Sequence, residues 1–260
     1  MTEASPVLVV RKGDVAIVTL NRPERRNALD LEMVQALHRV FDELGADDAL
    51  GVVIVTGAGD KAFVSGADIA QLKERKTRDA LRGINSTLFK KIEECPLPTI
   101  AAVNGVALGG GCELAMACDL RVAGASAKFG QPEVSLGIIP AAGALYRLPR
   151  LVGLGRAKEL VFTAKILSAA DAAQIGLVNR VVPDGEVLAA AEALAAEILQ
   201  NGRLAVRLAK AAMQAVARPF GDPTATVENL AQAILFESDE KHQRMGEFLA
   251  RRASKTKEQK

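Results

Sequence analysis

Apolar residues come first in short β-rich runs and only later at helical spacing. Val7–Val10 and Val15–Leu20 flank the polar Arg11-Lys12-Gly13-Asp14, a pattern that predicts a hairpin. Val34, Leu37, Phe41 and Leu44 then recur at intervals of three and four. They predict a helix capped by Asp30 and stopped by Gly45. Val52–Thr56 is a continuous apolar run, as expected of a strand buried on both faces. Leu81, Ile84, Leu88 and Ile92 share one face of a helical region from about Ile69 to Ile92. Pro96 and Pro98 end that region, and Ile100–Val103 predicts the next buried strand.

The order strand, glycine loop, helix then repeats. Glu113–Cys118 reads as helix, Leu120–Ala123 as strand and Leu145–Leu151 as helix. A short helix capped by Ser168 precedes a strand at Val178–Val182. From Val187 the pattern turns almost purely helical: Val187–Gln200, Arg203–Ala217, Thr224–Phe236 and Asp239–Arg252. A boundary near residue 195 therefore separates a strand-rich region, 1–195, from a helical region, 196–260. No strict repeat is visible, but the spacing of the units suggests a coiled ββα arrangement in the α/β class.

Composition narrows the picture only a little. The 260 residues, 49% hydrophobic and 25% charged, suffice for one large domain or one domain with a small appendage. A net charge of +2 demands neither nucleic acid nor an acidic membrane, and the basic tail 251–260 reads as a solvated end. Cys95, Cys112 and Cys118 form no disulfide framework, which fits a reducing compartment. With neither signal peptide nor membrane span in the pattern, the expected location is the cytoplasm. His38 and His242 lie far from the cysteines in sequence, so no metal site is expected.

Chemistry concentrates in two segments. Leu108-Gly109-Gly110-Gly111-Cys112-Glu113-Leu114 sets a glycine run before a carboxylate, and Gly130-Gln131-Pro132-Glu133 supplies a second carboxylate one unit later. Glycines that admit backbone N–H groups to a ligand, beside two carboxylates, point to an oxyanion site with acid–base machinery. Alone, the glycine run reads equally well as a tight strand-to-helix turn, and a single glutamate on a helix as a surface residue. Glu113, however, lies among Cys112, Leu114, Ala115 and Met116, where a carboxylate without a purpose is costly. No Gly-Lys-Ser/Thr ending supports a phosphate loop here or at Gly57-Ala58-Gly59.

Together with Ser65-Gly66-Ala67-Asp68-Ile69, these segments resemble the crotonase (enoyl-CoA hydratase/isomerase) superfamily. The resemblance runs from Leu20-Asn21-Arg22-Pro23 to Gly246-Glu247-Phe248-Leu249, nearly the whole chain. It implies a crotonase-like spiral of ββα units forming the catalytic domain, then a C-terminal helical region for trimerisation. It implies that the amides of Ala67 and Gly110 hold the thioester oxygen. Glu113 would activate a water, and Glu133 would supply a proton to the α carbon. Arg25 and Arg26 would lie near the coenzyme A phosphates and pantetheine, with Ala28 on the same path and Lys61 assisting. Ser65, Asp68 and Ile69 would contact the thioester arm, and Pro140 and Ala141 the acyl end.

The implied reaction is hydration of a 2-enoyl-CoA to the 3-hydroxyacyl-CoA, with no metal or other cofactor, since coenzyme A is part of the substrate. A homotrimer or dimer of trimers is implied, with no nucleic-acid or membrane partner. Two other readings stay open: a Δ3,Δ2-enoyl-CoA isomerase, which can work with one carboxylate, and a crotonase-fold RNA-associated or binding protein. The match departs at Ala141-Ala142-Gly143-Ala144-Leu145-Tyr146-Arg147-Leu148, where many hydratases carry Gly-Ala-Gly-Gly-Thr-Gln-Arg-Leu. Ala141 is therefore expected in the wall that faces the acyl group and the water, and Tyr146 either beside it or packed as core material.

Overall fold

In the computed structural model, which describes residues 5–67, 69–217 and 223–258, the opening hairpin forms as expected. Val7–Lys12 (β1) pairs antiparallel with Val15–Leu20 (β2), and Gly13 turns the corner at φ +59°. Leu31–Gly45 (α1) follows, and the Asp30 carboxylate accepts the Met33 N–H at 2.8 Å as its N-cap. Val52–Gly57 (β3) lies parallel to β2, and Ala62–Val64 (β4) leaves for a second sheet. Thr99–Val103 (β5) returns to the first sheet and Val106–Leu108 (β6) to the second. Leu120–Gly124 (β7) and Lys128–Gly130 (β8) repeat the step. Ile166–Ser168 (β9) then joins the second sheet and Arg180–Val182 (β10) the first. Each turn of the chain thus deposits one strand in each sheet. The order is β1-β2-β3-β5-β7-β10 in one and β4-β6-β8-β9 in the other.

Helices fill the space between turns. The single helical region expected from Ile69 to Ile92 is instead three helices: Ile69–Glu74 (α2), Thr77–Leu81 (α3) and Ile84–Glu93 (α4). Gly83 at φ +57° separates the last two, and Leu81 is exposed while Leu88 and Ile92 are fully buried. The periodicity therefore bridges a chain reversal that glycine makes cheap. Gly110–Ala117 (α5) and Ala144–Val152 (α6) match expectation, whereas Leu154–Thr163 (α7) is an addition that the pattern does not predict. Ser168 caps Ala169–Gln174 (α8), its hydroxyl accepting the Asp171 N–H. The strand expected at Val178–Val182 shortens to β10, because Val178 is drawn into the core.

The continuous apolar runs are explained by burial on both faces. Val53 and Val55 of β3 point into the main core, while Val52 and Ile54 meet Val187–Leu199 (α9) on the outer face. Residue 195, the expected boundary, falls within α9, whose Ala191, Leu194 and Ala195 pack on the first sheet. Arg203–Ala217 (α10) docks through polar groups. Lys210 Nζ donates to Leu97 O at 2.9 Å and to Asp119 at 2.6 Å, and Arg207 donates to Leu50 O at 3.0 Å. Its Leu204, Leu208 and Met213 face outward. Pro223–Phe236 (α11) and Asp239–Glu258 (α12) pack over α2, α3 and the turn after β8, through Leu72, Leu136, Phe236 and Met245. No helix among the described residues is long and apolar enough to cross a membrane.

One contact fixes how α5 meets the second sheet. A Cβ on Gly111 would overlap the Val64 carbonyl oxygen, so only glycine lets the helix rest on β4. Gly111→Ala is therefore expected to cost about 1–3 kcal/mol through overpacking, a fall in Tm of roughly 2–10 °C. Gly155→Ala, at an exposed α7 position with nothing within 4 Å of the added methyl, is expected to be neutral or slightly stabilising. Equal melting temperatures for Gly111→Ala and the parent chain, by calorimetry, would contradict this packing constraint.

Candidate active site

The second sheet assembles the site by register. β4, β6 and β8 are parallel neighbours, with Val64 opposite Ala107 and Leu108 opposite Gly130. The segments that leave their C-terminal ends are therefore side by side: Ser65–Ala67, Gly109–Gly110 and Gln131–Glu133. The Gly109 N–H donates to Gly130 O at 2.9 Å, tying the last two together. All three segments open onto one cavity of about 1390 Å³.

Each glycine of the run has its own task. Gly109 adopts φ +52° and ψ −124°, outside the range of ordinary side chains, and a Cβ there would lie 2.8 Å from Glu133 Oε1. Gly110 is the first residue of α5, so its N–H is among those a helix leaves unpaired at its start. Gly111 permits the approach of α5 to β4. The tight-turn reading thus holds at Gly109, while Gly110 lines the cavity at the helix start.

Glu113 sits one helical turn into α5 and is 3% exposed. Its Oε1 accepts the Ala142 N–H at 2.7 Å and the Ala144 N–H at 3.1 Å. Burial raises its pKa, opposed by those two N–H groups and by the Arg147 charge. Glu133 opens a 3-10 turn, Glu133–Leu136, and is half-buried. Burial, and then the negative charge of Glu113, lift its pKa well above the ordinary carboxylate range. The two carboxyls thus differ in support: Glu113 has two amide donors favouring its anion, while Glu133 faces a like charge. With its amide nitrogen toward Glu133, the buried Gln131 donates to both carboxylate oxygens at 3.1 Å. Burial, followed by Glu133 and Glu113, pushes the Cys112 thiol up to about 12, so it is no thiolate nucleophile near neutral pH.

The backbone that holds Glu113 is itself held. Arg147 Nη1 donates to Ala142 O at 2.9 Å, and Glu228 of α11 accepts the Gly143 N–H at 2.9 Å. Glu93 anchors the arginine through Nε at 3.0 Å and Nη2 at 2.5 Å. Gln232, one turn after Glu228, accepts the Ile139 N–H at 3.2 Å. Tyr146 takes the packing alternative. Its ring lies under the guanidinium groups of Arg147 and Arg150, and its hydroxyl donates to Glu93 at 2.8 Å. It buttresses the clamp and is not among the residues lining the cavity, whereas Ala141 is.

The other expected residues divide. Arg25, Arg26, Ala28, Ser65, Ala67 and Ile69 line the cavity with Gly110, Glu113 and Glu133. The loop with the arginines is bound to the oxyanion segment: Ser65 N–H donates to Arg26 O at 3.1 Å and Leu29 N–H to Gly66 O at 3.0 Å. Arg26 and Asn27 are left-handed, at φ +52° and +54°. The Asn27 side chain secures that strained turn by accepting from Arg22 N and donating to Ala58 O and Ala62 O. Lys61 and Pro140 are outside the cavity lining; Lys61 is exposed and Pro140 buried. Asp68 lies outside the described residues.

Residues that the sequence reading missed are mainly supports. Ala142 and Ala144 act through backbone N–H groups, which leave no side-chain signal. Glu228 and Gln232 could have been found as a polar pair spaced by four among the Leu, Ile, Val and Ala of their helix. Arg252, Phe248 and Phe236 bring the C-terminal helices to the same cavity.

Residues 11–259 match the family model of enoyl-CoA hydratase/isomerase. A short-chain-enoyl-CoA hydratase of Clostridium acetobutylicum is 42% identical over 252 residues, which cover 96% of this chain and 97% of that protein. A crotonyl-CoA hydratase of Syntrophomonas wolfei is 42% identical over 248 residues, covering 95% of each. The crystal structure of an enoyl-CoA hydratase from Bacillus anthracis aligns with a TM-score of 0.80 at 38% identity, over 89% of this chain and 90% of that one.

The raised pKa values carry a stability consequence. Both carboxyls hold protons more readily in the fold than in the unfolded chain. Stability from this source is complete below the unfolded glutamate pKa and is lost as pH rises through the folded values. Glu133→Gln removes the ionisation and is expected to raise the melting temperature relative to the parent at pH 8. The gain is expected to vanish toward pH 4. A gain of equal size at both pH values would assign the effect to packing rather than to charge.

Proposed function

The chain belongs to the enoyl-CoA hydratase/isomerase family and has the crotonase fold, and from this we propose how its site performs enoyl-CoA hydration. One water is held between Glu113 and Glu133. Glu113, whose anion is favoured by two amide donors, takes a proton from the water as its oxygen adds to C3 of the 2-enoyl thioester. Glu133, kept protonated more readily by burial and by its neighbour, delivers a proton to C2. The charge that develops on the thioester oxygen is met by the amides of Gly110, at a helix start, and Ala67. Losing one such donor typically costs on the order of 10²–10³ in rate. No metal or redox cofactor has a step in this scheme.

The single observation that carries the reading is the glutamate pair, Glu113 buried and Glu133 half-buried, with unequal support, on the cavity that the first residue of α5 also lines. An isomerase can shuttle its proton with one carboxylate. Two carboxyls held by separate elements, one by Ala142 and Ala144 and one over Gly109, suit water addition better. Arg25 and Arg26, exposed at the same cavity, suit the coenzyme A phosphates.

We further propose a homotrimer or a dimer of trimers. Val227, Leu230 and Ile234 form an exposed stripe on α11, and Leu204, Leu208 and Met213 are exposed on α10. Such apolar surface is seldom left to water.

Glu113→Gln and Glu133→Gln are each expected to lower kcat for crotonyl-CoA by about 10²–10⁴ while retaining acyl-CoA binding. Loss of the conjugated enoyl thioester absorbance reads the rate. Parent-like turnover in either variant would contradict the two-carboxylate mechanism, and sedimentation of the chain as a monomer at every concentration would contradict the assembly.

A further inference from the structure

Three consecutive amides at the start of α6 divide between two buried glutamates. The Ala142 and Ala144 N–H groups donate to Glu113 Oε1 at 2.7 and 3.1 Å. The Gly143 N–H between them donates instead to Glu228 Oε2 at 2.9 Å. Glu228 is 1% exposed and is not among the residues lining the cavity, so it acts on the site from behind. One turn further along α11, Gln232 accepts the Ile139 N–H at 3.2 Å. Helix α11 therefore grips the segment at two points, on its amide side, while Arg147 grips it through Ala142 O.

The turn needs such a grip because its centre is glycine. Gly143 adopts φ +106°, and a Cβ there would overlap the Arg147 guanidinium. Glycine supplies that conformation but is also the residue with the widest choice of others. Without an acceptor on α11, the buried Gly143 N–H would lack a partner, a cost that rotation of the turn could relieve. Such a rotation would carry the Ala142 and Ala144 amides away from Glu113. The charged and titratable groups facing Glu113 are Arg147 of α6, with Glu93 of α4 behind it, Glu133, and the protonated Cys112 thiol. Burial already disfavours the Glu113 anion, and the two amides are the neutral groups that oppose it.

We propose that Glu228 is a positioning residue for hydration: by accepting the Gly143 N–H, it keeps the turn at 142–144 aimed at Glu113. The inference rests on the proposed role of Glu113 as the base that activates water, and deepens it. Glu228 transfers no proton and touches no substrate. An accepting oxygen at that place suffices for the task, so a carboxamide there serves as a carboxylate does.

Two variants separate the acceptor from charge and bulk. Glu228→Gln keeps an accepting oxygen and is expected to hold kcat for crotonyl-CoA within about threefold of the parent. Glu228→Met keeps the bulk and loses the strong acceptor. It is expected to lower kcat at pH 7 about 10- to 100-fold, with KM little changed. The acid limb of its kcat profile is expected to move up by about one pH unit, because the Glu113 anion has lost its amide donors. Carbon-13 NMR of the Glu113 carboxyl is expected to show the same upward move in titration. Parent-like kcat and acid limb in Glu228→Met would overturn the proposal, as would a Glu228→Gln chain that fares no better than Glu228→Met. Folding with glutamine but not with methionine would assign Glu228 to the fold alone and overturn it too. Absence of crotonyl-CoA hydration by the parent would instead overturn the hydratase reading, and the NMR titration would still decide whether Glu228 supports Glu113.

Discussion

Everything in the site depends on how closely one helix approaches one strand. Gly111 lets α5 rest against the Val64 carbonyl, and that contact sets the loop after β4 beside the loop after β6. Residues more than forty positions apart in sequence, Ala67 and Gly110, thereby share one cavity. A side chain at 111 would push the helix start away from the strand end, separating Ala67 from Gly110, whose amides are the proposed donors to the substrate oxygen. The strand register continues the arrangement by setting Gly130 opposite Leu108, so that Glu133 arrives over Gly109. The chemistry is thus a property of strand ends, and the ββα spiral is the means of bringing three of them side by side.

Burial raises the proton affinity of both glutamates, and asymmetric support keeps their roles apart. Glu113 is fastened to a backbone segment that Arg147, Glu93 and Glu228 hold from behind. Glu133 is held by the neutral Gln131 amide and faces a neighbouring negative charge. Part of the clamp comes from α11, so the C-terminal helices contribute to the site as well as offering an apolar outer face. Removing the Arg147 charge would leave the buried Glu113 without its compensating cation.

Legibility in the sequence followed the size and kind of signal. β2, β3 and α1 were readable because each offers five or more residues of clear pattern or a cap. The strands of the second sheet are three residues long, too short to show a period, so the sheet that builds the site was invisible although its loops were not. Glu113 stood out as a carboxylate among apolar neighbours. Ala142 and Ala144 could not, since only their backbone acts. Tyr146 stayed open between pocket and core because an unusual residue soon after Glu133 suggests the pocket, while its hydroxyl and ring are engaged by Glu93 and two arginines.

The central claim is that this site adds the elements of one water across a conjugated thioester, rather than moving a double bond. Mass spectrometry after incubating crotonyl-CoA in deuterium oxide enriched in oxygen-18 tests it most directly. The account predicts 3-hydroxybutanoyl-CoA with oxygen-18 at C3 and one non-exchanging deuterium at C2. Recovery of enoyl-CoA alone, labelled with deuterium at C2 or C4 and free of oxygen-18, would contradict it and assign the glutamates to double-bond migration.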